Sequence, residues 1–329
     1  MGTRLKHRLD ISPRRYAQVA AVALAALALI VLTGAAVRLT GSGLGCPDWP
    51  KCYGGTVPPL ETHAVIEYGN RLLTGFVGIA VIAASVLAWF RRPFRWHLAF
   101  FGALLPLGVV CQAVLGALVV KHHLAPGLVM GHFILSMLLL DAAFALAWCA
   151  RYEHGERRTS TDRLGVWAVR VLIPVGQLTI LAGTIATGSG PHAGAHEGEL
   201  VHRFDFEGTG TLEWMVQRHS AIAAAFGLAA IAVWLLLRRP GGDRRAARPL
   251  TAVIGLLGLQ GAVGGLQWAL ELPSEVVWLH VALATLTWLA MLWTVATAGR
   301  LAPKVPRTQS TPQSARTGET ATTPALTQS

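Results

Sequence analysis

Eight apolar runs recur along this chain at near-even intervals, each close to the roughly 20 residues a helix needs to cross a hydrocarbon core. No other feature constrains the fold as tightly, because a backbone in lipid must satisfy its own hydrogen bonds and a helix does so within one segment. The runs place spans at about 17–38, 64–90, 98–120, 126–150, 165–187, 213–237, 249–270 and 276–299. Hydrophobic residues make up 53% of the sequence and charged residues 14%, the balance of a polytopic membrane protein. The chain reads as an all-α membrane protein of eight transmembrane helices.

Two phrases are versions of one another. Gln112-x-x-x-Gly116 leads through Leu124 and Val129 to His132, and Gln260-x-x-x-Gly264 leads through Leu272 and Val277 to His280, each position 148 residues after its match. Upstream, Thr40-Gly41-Ser42-Gly43 recurs as Thr187-Gly188-Ser189-Gly190. The chain is therefore read as a duplicated unit of four spans. An even number of spans returns the chain to its starting side, so two tandem four-helix bundles are expected, related by a pseudo-two-fold axis along the membrane normal. The expected divisions are a basic N-terminus (1–16), an N-terminal half (17–150), a linker (151–164), a C-terminal half (165–299) and a tail (300–329). The tail is rich in Thr, Ser, Pro, Gln and Ala and is expected to be disordered.

Charge sets the orientation. Arg4, Lys6, Arg8, Arg14 and Arg15 precede the first span; Arg91, Arg92 and Arg95 follow the second. Arg151, Arg157, Arg158 and Arg163 follow the fourth, and Arg238, Arg239, Arg244, Arg245 and Arg248 the sixth. By the positive-inside rule these segments, and both termini, are cytoplasmic. The opposite connections hold Lys51, Lys121 and Arg203 beside Asp48, Glu61, Glu197, Glu199, Asp205, Glu207 and Glu213. The net charge of +11 is thus a topology signal and not a nucleic-acid footprint. The first apolar run is too long for a secretory signal and ends in the repeated phrase, so it is read as a retained helix. The short segment ahead of it does not suit a mitochondrial transit peptide, which points to a bacterial cell membrane.

Ionisable side chains kept in lipid are functional hypotheses. His132, His219 and His280 lie near the outer ends of their spans, and His219 and His280 share a half. Two neutral imidazoles from facing helices suit the iron of a b-type haem, whereas a structural zinc would need further N or S ligands. Gly116 and Gly264 are expected to leave room for a flat macrocycle. In the second span His63, Glu67 and Asn70 stand at i, i+4 and i+7 and share one helix face. Glu67 either acts on a substrate or forms a local ion pair with Arg71. Cys46 and Cys52 flank Pro47–Lys51 in the first outer loop, where an oxidising compartment favours a disulfide; the pair is either a structural staple or redox-active. Cys111 and Cys149 read as small apolar fillers.

These residues carry a family resemblance. Gly43-Leu44-Gly45-Cys46-Pro47-Asp48-Trp49-Pro50-Lys51-Cys52, Glu67-x-x-x-Arg71, Gln112-x-x-Leu115-Gly116 leading to His132, Ser189-Gly190-Pro191-His192, and Leu272-Pro273 leading to His280 together resemble the haem A synthase family, over roughly residues 17–299. The resemblance implies an eight-helix enzyme that oxidises the C8 methyl group of haem O to a formyl group, giving haem A for terminal oxidases, with oxygen drawn from water. It implies that His219 and His280 hold a haem b cofactor, that His132 helps to hold the substrate haem, that Glu67 is the catalytic glutamate, and that Cys46 and Cys52 are the outer-loop pair. One position departs. Many members read Glu-x-x-His-Arg where this chain has Asn70 before Arg71. The substrate iron is then held by His132 alone, or by His63 from further out, about 10 Å along the helix. The repeat registers the same change, since Asn70 matches His219 at an offset of 149.

The implied partners are haem O, a haem O synthase (protohaem farnesyltransferase), an electron acceptor of open identity and membrane lipid; self-association is left open. The alternative class is a b-type membrane cytochrome moving electrons between a quinone and an outer-face partner, which gives Glu67 and the cysteine pair no role. A parallel-repeat transporter would require broken helices and mid-membrane polar residues, whereas the polar residues are read here as clustering at the outer ends.

Overall fold

The computed structural model describes residues 10–302 except 154, 197, 198, 200 and 209. Its helices are α1 (Pro13–Leu39), α2 (Thr62–Phe90), α3 (Trp96–Lys121), α4 (Pro126–Arg151), α5 (Arg163–Ser189), α6 (Thr211–Arg238), α7 (Arg244–Ala269) and α8 (Ser274–Ala298). All eight are long and apolar enough to cross a membrane. The chain is a multi-pass membrane protein, as its apolar runs require.

Capping explains why several helices begin ahead of those runs. Ser12 accepts a hydrogen bond from the Arg15 N–H with Pro13 in the first turn of α1, Asp162 accepts from the Gly165 N–H at 2.9 Å, and Asp243 accepts from the Arg245 N–H. Each supplies an acceptor for an otherwise orphaned donor of the first turn. Helix α7 therefore starts at Arg244, although apolar character begins only near residue 249. Hydropathy does not register a turn of arginines.

Helices α1 to α4 pack in succession, and α1 closes the set against α4; α5 to α8 do the same, with α5 against α8. Between the two sets α1 meets α8, α4 meets α5, and α4 meets α8. Hydrogen bonds pin three of these contacts. The Tyr16 hydroxyl donates to the Ala84 carbonyl at 3.0 Å, the Trp278 indole to the Leu32 carbonyl at 3.0 Å, and the Trp288 indole to Asp141 Oδ1 at 2.6 Å. Leu27, Val81, Leu105, Leu140, Leu172 and Leu250 are buried between helices, while Phe76, Ile79, Leu107, Leu228 and Leu235 are exposed. Apolar residues on both the inner and the outer surface are what a helix surrounded by lipid carries.

The hairpins α3–α4 and α7–α8 have the same backbone. His123 and Leu124 take φ of 48° and 58°, and Glu271 and Leu272 take 59° and 64°. The Leu124 N–H donates to the Val119 carbonyl at 2.9 Å and the Leu272 N–H to the Gln267 carbonyl at 2.7 Å. His122 to Leu118 and Leu270 to Leu266 repeat likewise, each pair 148 residues apart. Left-handed backbone is costly for non-glycine residues, so finding it at matched positions shows that the repeat extends to loop geometry.

The arginine-rich end is knitted by buried charge. Arg91 is fully buried and bonds Glu153 and the Pro93 carbonyl. Asp162, besides capping α5, receives Arg239 at 2.6 Å and the Asp243 N–H at 3.1 Å. Burial works to raise the Asp162 carboxyl, but the Gly165 and Asp243 N–H groups and the Arg239 guanidinium together hold it below the usual carboxylate range. A parallel ladder joins β1 (Thr159–Ser160) to β2 (Arg300–Leu301). The tail expected from residue 300 thus begins with two residues of the folded body, because the linker backbone gives them partners. Residues 303–329, with Arg4, Lys6 and Arg8 of the N-terminus and Glu197 of the α5–α6 connection, lie outside the described residues.

Candidate active site

The repeated histidines stand at equivalent depth, His132 six residues into α4 and His280 six residues into α8. His219 of α6 meets His280 with ring centroids 6.3 Å apart and planes at 72°. The His219 Nδ1 lies 3.1 Å from the Thr179 carbonyl; donating there leaves Nε2 as the free acceptor. The His280 Nδ1 is buried without a partner. Gly183 admits His219, since a Cβ there would come within 2.9 Å of its Cε1. Two imidazole nitrogens, each about 2 Å from one metal, put ring centres about 6 Å apart. The pair therefore has the donors and the separation that would suit a haem iron.

The α3–α4 unit repeats half of this arrangement. Gln112 Nε2 donates to the His132 carbonyl at 3.0 Å and to Ser136 Oγ at 2.6 Å, so in this half the amide braces the turn that carries the imidazole. The His132 Nδ1 is buried and unpartnered, and so is Asn70 Oδ1. A Cβ on Gly116 would lie 3.5 Å from His132 Cε1, and one on Gly264 3.3 Å from His280 Cε1. The room at these glycines, expected for a macrocycle, is taken by the imidazoles themselves. His63 lines an open cavity with Thr40, His192 and His196, its Nδ1 2.9 Å from Ser42 Oγ and its ring stacked on His196 at 5.4 Å. These partners are other than His132.

Cys46 and Cys52 are bridged, and their loop rests on Glu67. The buried Glu67 carboxylate accepts the Cys46 N–H through Oε2 at 2.8 Å and pairs through Oε1 with Arg71 at 2.5 Å. Arg71 also donates to the Asp48 and Lys51 carbonyls, each at 2.9 Å. The local ion pair is thus present, and Arg71 extends it into a brace for the loop. Asp141, Arg38 and His196 are polar features that the sequence reading passed over. For Asp141 the signal was visible: a carboxylate in the middle of an apolar run. It also corrects the expectation that polar residues cluster only at the outer ends.

The COX15-CtaA family, described as cytochrome oxidase assembly protein, matches residues 17–196 of this chain. The "Heme A synthase" of Bacillus licheniformis is 29% identical over 141 residues, 43% of this chain and 47% of that protein. The protein of the same name from Bacillus pumilus is 35% identical over 122 residues, 36% of this chain and 39% of that protein. A "Protoheme IX farnesyltransferase" of Thermus thermophilus is 29% identical over 285 residues, 82% of this chain and 46% of that protein. In each case the chain spans less than half the length of the relative it matches.

Proposed function

The chain belongs to the COX15-CtaA family of cytochrome oxidase assembly proteins, and from that membership we propose that it is a haem A synthase, oxidising the C8 methyl group of haem O to a formyl group. Relatives named for that activity support the reading, and the observation that carries it is the His219–His280 pair. His219 and His280 hold a haem b cofactor in a C-terminal half of α5–α8. His132 holds the substrate haem in an N-terminal half of α1–α4, with no second histidine or with His63. The equivalent contacts α1–α8 and α4–α5 support a pseudo-two-fold relation between the halves. The arginine-rich end is the cytoplasmic one, in a bacterial cell membrane, and the haem sites lie towards the outer face.

The reaction takes one water into the methyl carbon and releases four electrons and four protons, through an alcohol and a gem-diol that dehydrates. His219 and His280 would hold the cofactor haem, whose chemistry there would be to relay electrons towards an acceptor. Glu67 offers a negative field beside the substrate, which suits positive charge developing at the methyl carbon. A proton taken at Oε1 must displace Arg71, whereas the field acts without any bond breaking. The disulfide loop rests on Glu67 and Arg71, which holds both side chains in place. A farnesyltransferase that shares sequence with most of this chain supports a haem O synthase as the source of substrate.

Co-expression with a haem O synthase, followed by haem extraction and chromatography, tests the reading. Haem A is expected, and its absence in the presence of haem O would leave the b-type cytochrome. His280→Ala and His219→Ala proteins should each lose the low-spin haem b spectrum; a variant with unchanged spectrum and haem content removes that residue from the ligand set.

A further inference from the structure

Two arginines at the outer end share neighbouring acceptors. Arg38, in the last turn of α1, donates to the His192 carbonyl at 2.9 Å, and Arg203, between α5 and α6, donates to the Pro191 carbonyl at 2.6 Å. Their acceptors are the carbonyls of consecutive residues, which brings the two guanidiniums to one segment, and among the described residues neither is ion-paired with a carboxylate. Burial alone pulls the Arg203 guanidinium below its usual range. Each group carries five donors and spends one here.

The supporting segment is the Ser189-Gly190-Pro191-His192 phrase, to which the mechanism above gives no task. It is firmly seated. A Cβ on Gly194 would lie 3.1 Å from Arg38 Cγ, and His192 Nε2 lies 2.7 Å from the Leu272 carbonyl, in the hairpin that leads to His280. A cavity of about 500 Å³ opens beside it, lined by Pro191, Arg203, Trp268, Glu271 and Leu272 among others.

We propose that Arg38 and Arg203 form a carboxylate site at the outer mouth, and that its ligand is the pair of propionate groups of a porphyrin held by the histidines. The inference rests on the haem reading. A porphyrin of this kind is apolar except for two carboxylates on one edge, so its ring belongs among helices and that edge belongs at the membrane surface beside cations. Guanidinium matches carboxylate geometry in two parallel hydrogen bonds, and a dicarboxylate relieves the repulsion between two like charges. The porphyrin is either the one on His219 and His280 or the one on His132.

The test titrates full-length, haem-depleted protein in detergent with iron protoporphyrin IX and with its dimethyl ester, followed by Soret absorbance. Wild type should bind the free acid roughly tenfold to a hundredfold more tightly, the range of a charged hydrogen bond. Arg203→Gln, in an outer loop, and the Arg38→Gln/Arg203→Gln double variant should bring that ratio towards one, with Lys substitutions between. Repeating the titration in His280→Ala and His132→Ala proteins identifies the porphyrin, as the preference for the free acid disappears with the histidine that holds it. A double variant retaining the wild-type ratio overturns the inference and leaves the haem reading intact. No Soret response to either compound in wild type overturns both.

Discussion

At position 70 the second span carries an amide where its repeat carries His219, and the surroundings differ to match. The Thr-Gly-Ser-Gly register sets Ala36 of α1 against Gly183 of α5, the glycine whose missing Cβ admits the His219 ring. An Asn70→His ring should therefore meet the Ala36 methyl. Asn70→His combined with Ala36→Gly should convert a high-spin substrate haem to a six-coordinate, low-spin one, and Asn70→His alone should do so less completely, read by absorption and resonance Raman spectra. Glu67→Gln keeps an acceptor for the Cys46 N–H, so it should lower turnover by about a hundredfold or more, in the range of a lost electrostatic contact, while leaving haem content unchanged. Comparable loss of both would make Glu67 a structural residue. Repeat spacing and apolar surroundings were enough to nominate His132, His219, His280 and Glu67 as candidates. It could not assign Ser42 to His63 or Gly183 to His219, because those contacts depend on which helices become neighbours.

Between residues and the whole lies the behaviour of hairpins and caps. His123 and Glu271 are exposed and left-handed, a backbone state costing a non-glycine residue roughly 1–2 kcal/mol. His123→Gly and Glu271→Gly should each raise stability by about 1 kcal/mol in thermal or denaturant melts, and equal gains are expected because the turns are copies. Asp162 titrates in the opposite sense to a raised group. Its carboxyl is depressed in the folded state, so its contribution is present above the unfolded value of about 4 and is lost as pH falls through the lower folded value. An Asn keeps the cap but not the charge that meets Arg239, so wild type should exceed Asp162→Asn by about 1–2 kcal/mol near neutral pH, with the gap closing below about pH 4. A gap constant down to acid pH would remove the carboxylate from the account. The spans were legible because apolar length is local; the early start of α7 and the β1–β2 ladder were not, since one depends on a cap and the other on a partner more than a hundred residues away.

Across the whole molecule, α4 and α8 meet through one polar contact. Trp288 is buried and its indole donates to Asp141, so Asp141→Leu leaves the indole N–H unpaired, at a cost of about 1–3 kcal/mol. A matching Trp288→Phe should recover part of it. Replacing both with less loss than either alone would show that the contact serves pairing and not function. The duplication was readable at this scale because 147 to 149 residues separate the matched pairs, but the contacts between the two sets of helices were not. Orientation is checked by introduced thiols: His122→Cys should label from outside intact cells, and Gly241→Cys only after permeabilisation.

The burial of Arg91 places the folding of this protein in time. Its guanidinium has no exposed surface and is paired with Glu153, a residue synthesised only after α3 and α4 have passed. Until then Arg91 is a free cation at the membrane surface, available to whatever reads positive charge during insertion. If the arginine-rich end is the cytoplasmic one, as proposed, the same side chain serves first as a retention signal for the growing chain and afterwards as a rivet in the finished one. Glu153→Ala should accordingly leave the topology of newly made protein unchanged and shorten its lifetime in the membrane, whereas Arg91→Ala, with Arg92 and Arg95 also replaced, should disturb insertion itself.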